Sequence, residues 1–362
     1  MTKKPLEGYR ILELGESMTA AVCSQLLSDF GAALLKIEQS TEIILERSHY
    51  AAQNRGKASI VLDFNHNEDM LTFQTLVKSC DVLITDVPNL AQRTGFTQQV
   101  LQSWNPKLIY SLISGYGADG PYANRTSSDQ TIQAESGIMS ITGEEGAEPI
   151  LSGGPIAAYL GGTMGCIGTL MALIGELKTG QGRFVDVSTM DTVLFGLESQ
   201  FSTYLKNGVV PEPIGNNYHL SAPVGVFPCK DGELTISVAT DTQWHAFAEV
   251  LGHIEWIEDP RFITVQNRIA HYPEINEEVR KAFSIHTRDE LIALLQSRHC
   301  VYGCLNNFRD VVAHPQVKHR QTFVKASYSD GDSYIVPSPP IRLNDFEYVS
   351  EYHVPELRQS SK

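Results

Sequence analysis

The sequence predicts an α/β fold, a parallel sheet covered by helices, followed by a smaller α+β domain. Three observations carry this. Short runs rich in aliphatic residues alternate with helix-length segments through the first third of the chain, the rhythm of strand–helix–strand crossovers. A long small-residue helix, followed by one more strand and helix, then completes that half. At 362 residues the chain is also too long for one simple core, which points to two domains.

The elements follow in order. Tyr9 to Leu14 is apolar at alternate positions and reads as the first strand. Met18 to Phe30 carries apolar residues at helical spacing and stops at Gly31. Ala33 to Ile37 is a second strand, and Ser59 to Phe64, rich in β-branched residues, a third. Met70 to Lys78 reads as a helix, with Val82 to Thr85 and Leu108 to Ile113 as strands. Tyr159 to Leu177 is apolar and full of small residues, the signature of a buried helix, and it ends at Thr179-Gly180-Gln181-Gly182. Phe184 to Val187 is a strand and Thr189 to Tyr204 one helix. Pro211 to Asn217 turns to Pro, Gly and Asn and marks a domain boundary. Beyond it, Gly225 to Ala239 gives two short strands around Lys230-Asp231-Gly232. Helices are predicted at Thr242 to Leu251, Pro273 to Ala282 and Arg288 to Ser297. From Asn306 loops and strands return, with a hard break at Pro337 to Pro340.

Bulk properties exclude several classes. A formal net charge of -14 argues against a general nucleic-acid or anionic-membrane surface. No run of about 18 apolar residues is read as a membrane span, and the N-terminus has no leader-like apolar core. The expectation is a cytoplasmic protein. Six cysteines are scattered along the chain, which is not a disulfide framework. Cys300 and Cys304 are four apart with no second pair nearby, so they read as thiols and no metal site is expected. The first strand is followed by Gly15-Glu16-Ser17-Met18, one glycine where a dinucleotide fingerprint needs three. No Walker A loop is present.

Several blocks in register carry a resemblance. They are Pro5-Leu6-Glu7-Gly8, Leu26 to Ala32 leading to Lys36-Ile37-Glu38, and Asn54-Arg55-Gly56-Lys57 with Leu62-Asp63. Asn105 to Tyr110, Ser114-Gly115-Tyr116-Gly117 and Gly120-Pro121-Tyr122 follow. Asp129, Gln133-Ala134, Ser136-Gly137, Thr142-Gly143, Thr179 to Gly182 and Asp186-Val187 complete the set. Together the chain resembles the class III CoA-transferases, the family of formyl-CoA transferase, carnitine CoA-transferase and α-methylacyl-CoA racemase, over roughly residues 5 to 260.

The resemblance implies a large Rossmann-like CoA-binding domain over residues 1–205. It implies a small α+β domain over 220–305, and a segment, 306–362, returning to the first. It also implies an interlocked homodimer. Coenzyme A or acyl-CoA would be substrate, with a small carboxylic acid as acceptor and no permanently bound cofactor. CoA contacts would fall at Met18, Thr19, Gln39, Leu62, Asp63, Thr85, Asp86, Arg93 and Thr126. Arg93 stands where a family arginine reaches the CoA phosphates; a solvated surface arginine is its plain alternative.

The departures from the family pattern are informative. In the segment Leu151 to Gly165 the family has Ala-Asp-Tyr, the aspartate being the covalent nucleophile; this chain has Ala157-Ala158-Tyr159. Gln39 replaces a basic residue that many members place near adenosine, and Ile84-Thr85-Asp86-Val87-Pro88 replaces a Glu-Asn-Phe block. The racemase branch uses His-Asp and a later aspartate; Ser128-Asp129 and Ala158 stand there, so proton transfer lacks both partners. Asp129 takes the place of a polar partner in the site, or else is the N-cap of a helix over Gln130 to Met139.

The family's reaction explains why position 158 matters. A carboxylate attacks the thioester, forms a mixed anhydride and releases CoA thiolate, which stays bound and re-attacks. Alanine has no atom able to form that anhydride, so the chain as it stands is expected to be an inactivated transferase. Two other readings fit the same residues: a CoA-thioester-binding partner subunit that naturally lacks the nucleophile, or an acyl-CoA lyase or isomerase using Asp129 as base.

Overall fold

The structure, a computed structural model, describes residues 4–39, 46–344, 346 and 348–356. The chain divides into two compact units: residues 1–140, 151–211 and 319–362 form one, and 141–150 with 212–318 form the other. The sequence places these limits at 220 and 306; the loop 141–150 groups with the second unit although it lies within the first in sequence, a placement that local pattern does not encode.

In the first unit the order is β1 (Arg10–Leu14), α1 (Met18–Asp29), β2 (Ala33–Glu38), α2 (Arg47–Asn54), β3 (Ala58–Val61), α3 (Asn67–Ser79) and β4 (Val82–Thr85). Then come α4 (Leu90–Thr94), α5 (Gln98–Trp104), β5 (Ile109–Ser114), α6 (Asp129–Glu135), α7 (Ile156–Thr179), β6 (Phe184–Ser188), α8 (Thr189–Gly196) and α9 (Glu198–Asn207). The six strands form one parallel sheet in the order β3-β2-β1-β4-β5-β6, the doubly wound arrangement that alternating strands and helices predict. One core layer joins the sheet to α3 and α5 through Phe73, Val77, Phe96 and Leu101. Another joins it to α1 and α7 through Ala20, Cys23, Leu27, Cys166 and Leu173.

Helices α2, α4 and α5 escaped the sequence reading because each is short, 8, 5 and 7 residues. The expected single helix over 189–204 is two, α8 and α9, broken at Gly196-Leu197, where Leu197 leaves helical geometry at φ -103°, ψ 25°. Glycine is a poor helix former, and the break falls beside it. Helix α7 has length and composition that the sequence reading passed over: its 24 residues have a mean hydropathy of 1.5 over their most apolar window, long and apolar enough to span a bilayer, and half of that window is buried inside the protein, as in a core helix. It is seated by glycines. A Cβ on Gly162 would lie 2.6 Å from the Thr19 carbonyl oxygen, and one on Gly165 2.1 Å from Ile113 Cδ1.

An ionic cluster lies under the centre of the sheet. The wholly buried Lys57 Nζ lies 2.7 Å from Glu13 Oε2 and 2.9 Å from Ser24 Oγ, and Lys36 approaches Glu13 Oε1 at 3.5 Å. Burial opposes the charge on Glu13, but the Lys57 and Lys36 ammonium groups win and bring its carboxyl down to about 2. Burial also pulls Lys57 down to about 8, so both members are charged at neutral pH.

The second unit holds β7 (Val224–Cys229), β8 (Gly232–Ser237), α10 (Asp241–Leu251), α11 (Glu255–Glu258), α12 (Val265–Ala270), α13 (Tyr272–Ser284), α14 (Arg288–Ser297), β9 (Val301–Cys304) and α15 (Phe308–Ala313). Its antiparallel sheet, β7-β8-β9, packs on the helices around Trp244, Phe247, Phe262 and Phe283. After α16 (Pro315–His319), strands β10 (Phe323–Ser327), β11 (Ser333–Pro337) and β12 (Glu351–His353) form a third sheet. Val324, Ala326, Val336 and Tyr352 of that sheet close a small core with Tyr50 and Ala51 of α2.

Candidate functional site

Strand order reverses between β1 and β4, and open α/β sheets bind ligands at the carboxyl ends of the strands flanking such a point. Here Asp86, just beyond β4, fills that place. Its Oδ1 accepts from Glu16 N at 2.8 Å and its Oδ2 from Ser17 N at 2.9 Å, with the Ser17 hydroxyl bonding the same oxygen. Burial pushes the Asp86 carboxyl up, against the pull of those donors. The amides at the start of α1 that a dinucleotide phosphate would use are therefore taken by a side chain. Thr85 is fully buried and its hydroxyl donates to Leu14 O at 2.7 Å. Met18 and Thr19 begin α1, where the Thr19 backbone lies against α7.

A cavity of about 160 Å3 lies beside the ends of β2 and β3, lined by Gln39, Leu62, Asp63, Phe64, Asn65, Arg93 and Thr94. The structure thus gathers Gln39, Leu62, Asp63 and Arg93 from three separate segments, while Met18, Thr19, Thr85, Asp86 and the exposed Thr126 do not line it. Arg93 Nη2 donates to Gln39 Oε1 at 2.8 Å and Nη1 to Glu16 Oε1 at 2.9 Å. Asp63 accepts from Asn65 N at 3.0 Å and Asn65 Nδ2 at 2.8 Å, donors that hold its carboxyl below the usual range. Leu62 and Phe64 supply apolar wall, and Arg93 supplies the cation. Such a pocket suits a planar base with an attached phosphate.

A second cavity, of about 230 Å3, opens at the start of α7 and is lined by Asp129, Gln130, Gln133 and residues 151–155. Asp129 is not the N-cap of its own helix. Ser128 caps α6 in a capping box with Thr131, and α6 ends at Glu135, short of the predicted Met139. The Asp129 carboxylate serves α7 instead. Its Oδ1 accepts from Ala158 N at 2.9 Å, one of the first amides of α7 with no partner inside the helix. Its Oδ2 accepts from Gln133 Nε2 at 2.6 Å, and Gln133 Oε1 in turn accepts from Ser152 N at 3.1 Å. Position 158 and Asp129 are thus brought together at one helix end. Gln133, which the sequence offered only as part of a block, is 2 % exposed and ties both to the loop 152–154. A Cβ on Gly153 or Gly154 would meet nothing within 4 Å, and neither glycine has a positive φ. Open space beside that backbone leaves room for a ligand to approach closely.

The first unit thus combines a doubly wound sheet with two cavities, one beside a cation and one at the start of a helix. The chain belongs to CoA-transferase family III, whose model matches residues 6–360. It is 30% identical to the succinate–glutarate CoA-transferase of Agrobacterium fabrum, an alignment covering 98% of this chain and 93% of that protein. It is 29% identical to the succinyl-CoA–L-malate CoA-transferase beta subunit of Chloroflexus aurantiacus, covering 95% and 89%. Among solved structures, a CAIB/BAIF family protein from Brucella suis superposes with a TM-score of 0.84 at 30% identity, covering 99% of this chain and 97% of that one.

Proposed function

We propose that this chain is built to move CoA between an acyl-CoA and a small carboxylic acid, and that the step requiring an aspartyl nucleophile is missing because Ala158 stands in its place. One observation supports the binding half of this reading: Gln39, Leu62, Asp63 and Arg93 line one cavity, with Arg93 the cation in its wall. The family and the relatives' names support the reaction class. The first unit carries both cavities and is assigned as the CoA-binding domain. Asp129 is a polar partner whose carboxylate is held by Ala158 N and Gln133, which leaves it poorly disposed to act as a free base.

With an aspartate at 158 the steps would run as follows. A carboxylate oxygen attacks the thioester carbonyl, the C–S bond breaks, and CoA leaves as thiolate with an acyl–aspartyl anhydride formed. The thiolate attacks the aspartyl carbonyl of the anhydride, giving an aspartyl thioester and the free donor acid. The acceptor acid attacks that thioester and the thiolate then attacks the acceptor's carbonyl, regenerating the aspartate. The chain as it stands binds CoA and performs none of these steps. A homodimer is part of the same proposal: Met171, Ile174 and Leu177 on α7, Phe195 on α8 and Leu205 on α9 are all more than half exposed, apolar surface of the kind that a partner covers.

Calorimetry tests this reading. CoA binds with a Kd near 1 µM, about -8 kcal/mol, and Arg93→Ala weakens it by roughly 1.5–3 kcal/mol. No binding of any CoA species at millimolar concentration overturns it. A nucleophile-less partner subunit is the second reading, favoured by the relative named as a beta subunit; co-purification with a second, different CoA-transferase chain would replace the homodimer with that assembly.

A further inference from the structure

The cation of the first cavity is not free to meet a ligand. Arg93 Nη1 is 2.9 Å from Glu16 Oε1, and Glu16 lies on the turn between β1 and α1, far from Arg93 in sequence. That turn is fixed. Glu16 N is bound by Asp86 Oδ1 at 2.8 Å, and a Cβ on Gly15 would fall 2.5 Å from Ala20 Cβ, so the chain here is too close to α1 for any residue larger than glycine. The Glu16 backbone is thus pinned where its carboxylate reaches Arg93. Gln39, which shares Arg93, has a buried amide nitrogen with no hydrogen-bond partner among the described residues. Buried donors without acceptors are rare in folded proteins. An acceptor is therefore wanted at one end of this site, while its cation is covered by an acceptor from within.

We infer that Glu16 is a phosphate gate: its carboxylate holds the place on Arg93 that a ligand phosphate takes, and it sets how strongly the site prefers phosphate-bearing ligands. This rests on the reading of the cavity as the CoA site. The pair is suited to gating. Both side chains are more than a third exposed, at 39% and 48%, and exposed ion pairs contribute little net stability, so a phosphate can displace the carboxylate at small cost. A bidentate guanidinium–phosphate contact is the stronger of the two. Once displaced, the pinned Glu16 cannot move far, and its charge stays near the phosphate and opposes it. Glu16 therefore lowers affinity for a phosphorylated ligand and leaves affinity for a phosphate-free one untouched.

The experiment is calorimetry on the full-length chain with three ligands: CoA, 3′-dephospho-CoA and pantetheine. The variants are Glu16→Gln, Arg93→Ala and the two combined, each checked for an unchanged melting curve. Glu16→Gln should tighten CoA about tenfold, the size of effect from removing a like charge some 6 Å from a phosphate in a medium between bulk water and protein surface. The gain should vanish when Arg93 is also replaced, and pantetheine should show none. A gain limited to CoA assigns the 3′-phosphate to the gate, and one shared with 3′-dephospho-CoA assigns the pyrophosphate. Equal CoA affinity in wild type and Glu16→Gln overturns the gate. A gain that persists without Arg93, or that extends to pantetheine, overturns it too. If no variant binds CoA, the CoA-site reading itself fails, a result separate from wild type and variant binding alike.

Discussion

Replacing Ala158 by aspartate should restore the missing step, and the structure sets what the change costs. Ala158 is the third residue of α7, and its amide is 2.9 Å from Asp129 Oδ1. A carboxylate built there lies roughly 5 Å from that of Asp129, and at an effective dielectric of about 20 the two repel by about 3 kcal/mol. The helix end returns about 1 kcal/mol by favouring negative charge in its first turn. The variant should then be about 2 kcal/mol less stable than the parent at neutral pH. The repulsion needs both carboxyls ionised, so the deficit should be largest at neutral pH and should shrink as pH falls far enough to protonate one of the pair. Adding Asp129→Asn should remove most of it, because the repulsion needs both charges. Activity is read by incubating the variant with a panel of acyl-CoA thioesters and hydroxylamine, then mapping the modified residue by mass spectrometry. Succinate, glutarate and malate are the first acceptors to try, being the acids named among the relatives. A variant that folds and binds CoA but forms no adduct at residue 158 would refute the reasoning.

Four further outcomes are expected. Lys57→Met leaves the buried Glu13 charge with only Lys36, 3.5 Å away, and should cost about 3 kcal/mol in a urea titration, while Glu13→Leu with Lys57→Met recovers part of it; a loss under about 1 kcal/mol for the single change would contradict the buried pair. In the parent, the Glu13 contribution is complete above its unfolded pKa near 4.5 and is lost as pH falls towards about 2, so the stability curve should bend downward in that window. Asp129→Ala uncaps α7 and orphans Gln133 Nε2, for about 2–3 kcal/mol, and sedimentation at nanomolar concentration should show twice the chain mass, with a clean monomer ruling out a tightly held dimer.

The parallel sheet was legible because its strands are continuous aliphatic runs, such as Val82–Thr85 and Ile109–Ser114, buried on both faces. Position 158 was legible because one residue departs from an otherwise matching block. What the sequence hid is the direction of side chains. Asp129 reads as a cap for the helix that it begins, yet its carboxylate turns to the start of α7, a contact across 29 residues that local pattern does not encode. Thr85 and Asp86 resemble ligand contacts by position, and fold inward to Leu14 and α1. Glu16 was passed over as part of a glycine-poor turn, and only the fold brings it to Arg93.

These contacts share one logic. The first unit has three features that attract anions: the amide ends of α1 and α7, and the Arg93 guanidinium. Each is met by a carboxylate of the same chain, Asp86, Asp129 and Glu16 in turn. In a protein with formal net charge -14, this keeps three acidic groups paired without a ligand. It also ranks them as sites. Asp86 is half-buried and is held by two backbone amides and a hydroxyl at the start of α1, so displacing it would break several hydrogen bonds at once. Asp129 is tied on both oxygens, one by a buried glutamine. Glu16 alone is a half-exposed carboxylate on a half-exposed arginine, and it is the one of the three that an incoming phosphate displaces at least cost. The ranking follows the number of hydrogen bonds each carboxylate would give up, and on the proposed function it makes Arg93 the point of phosphate capture and the start of α7, where Asp129 accepts from the amide of residue 158, the point of chemistry.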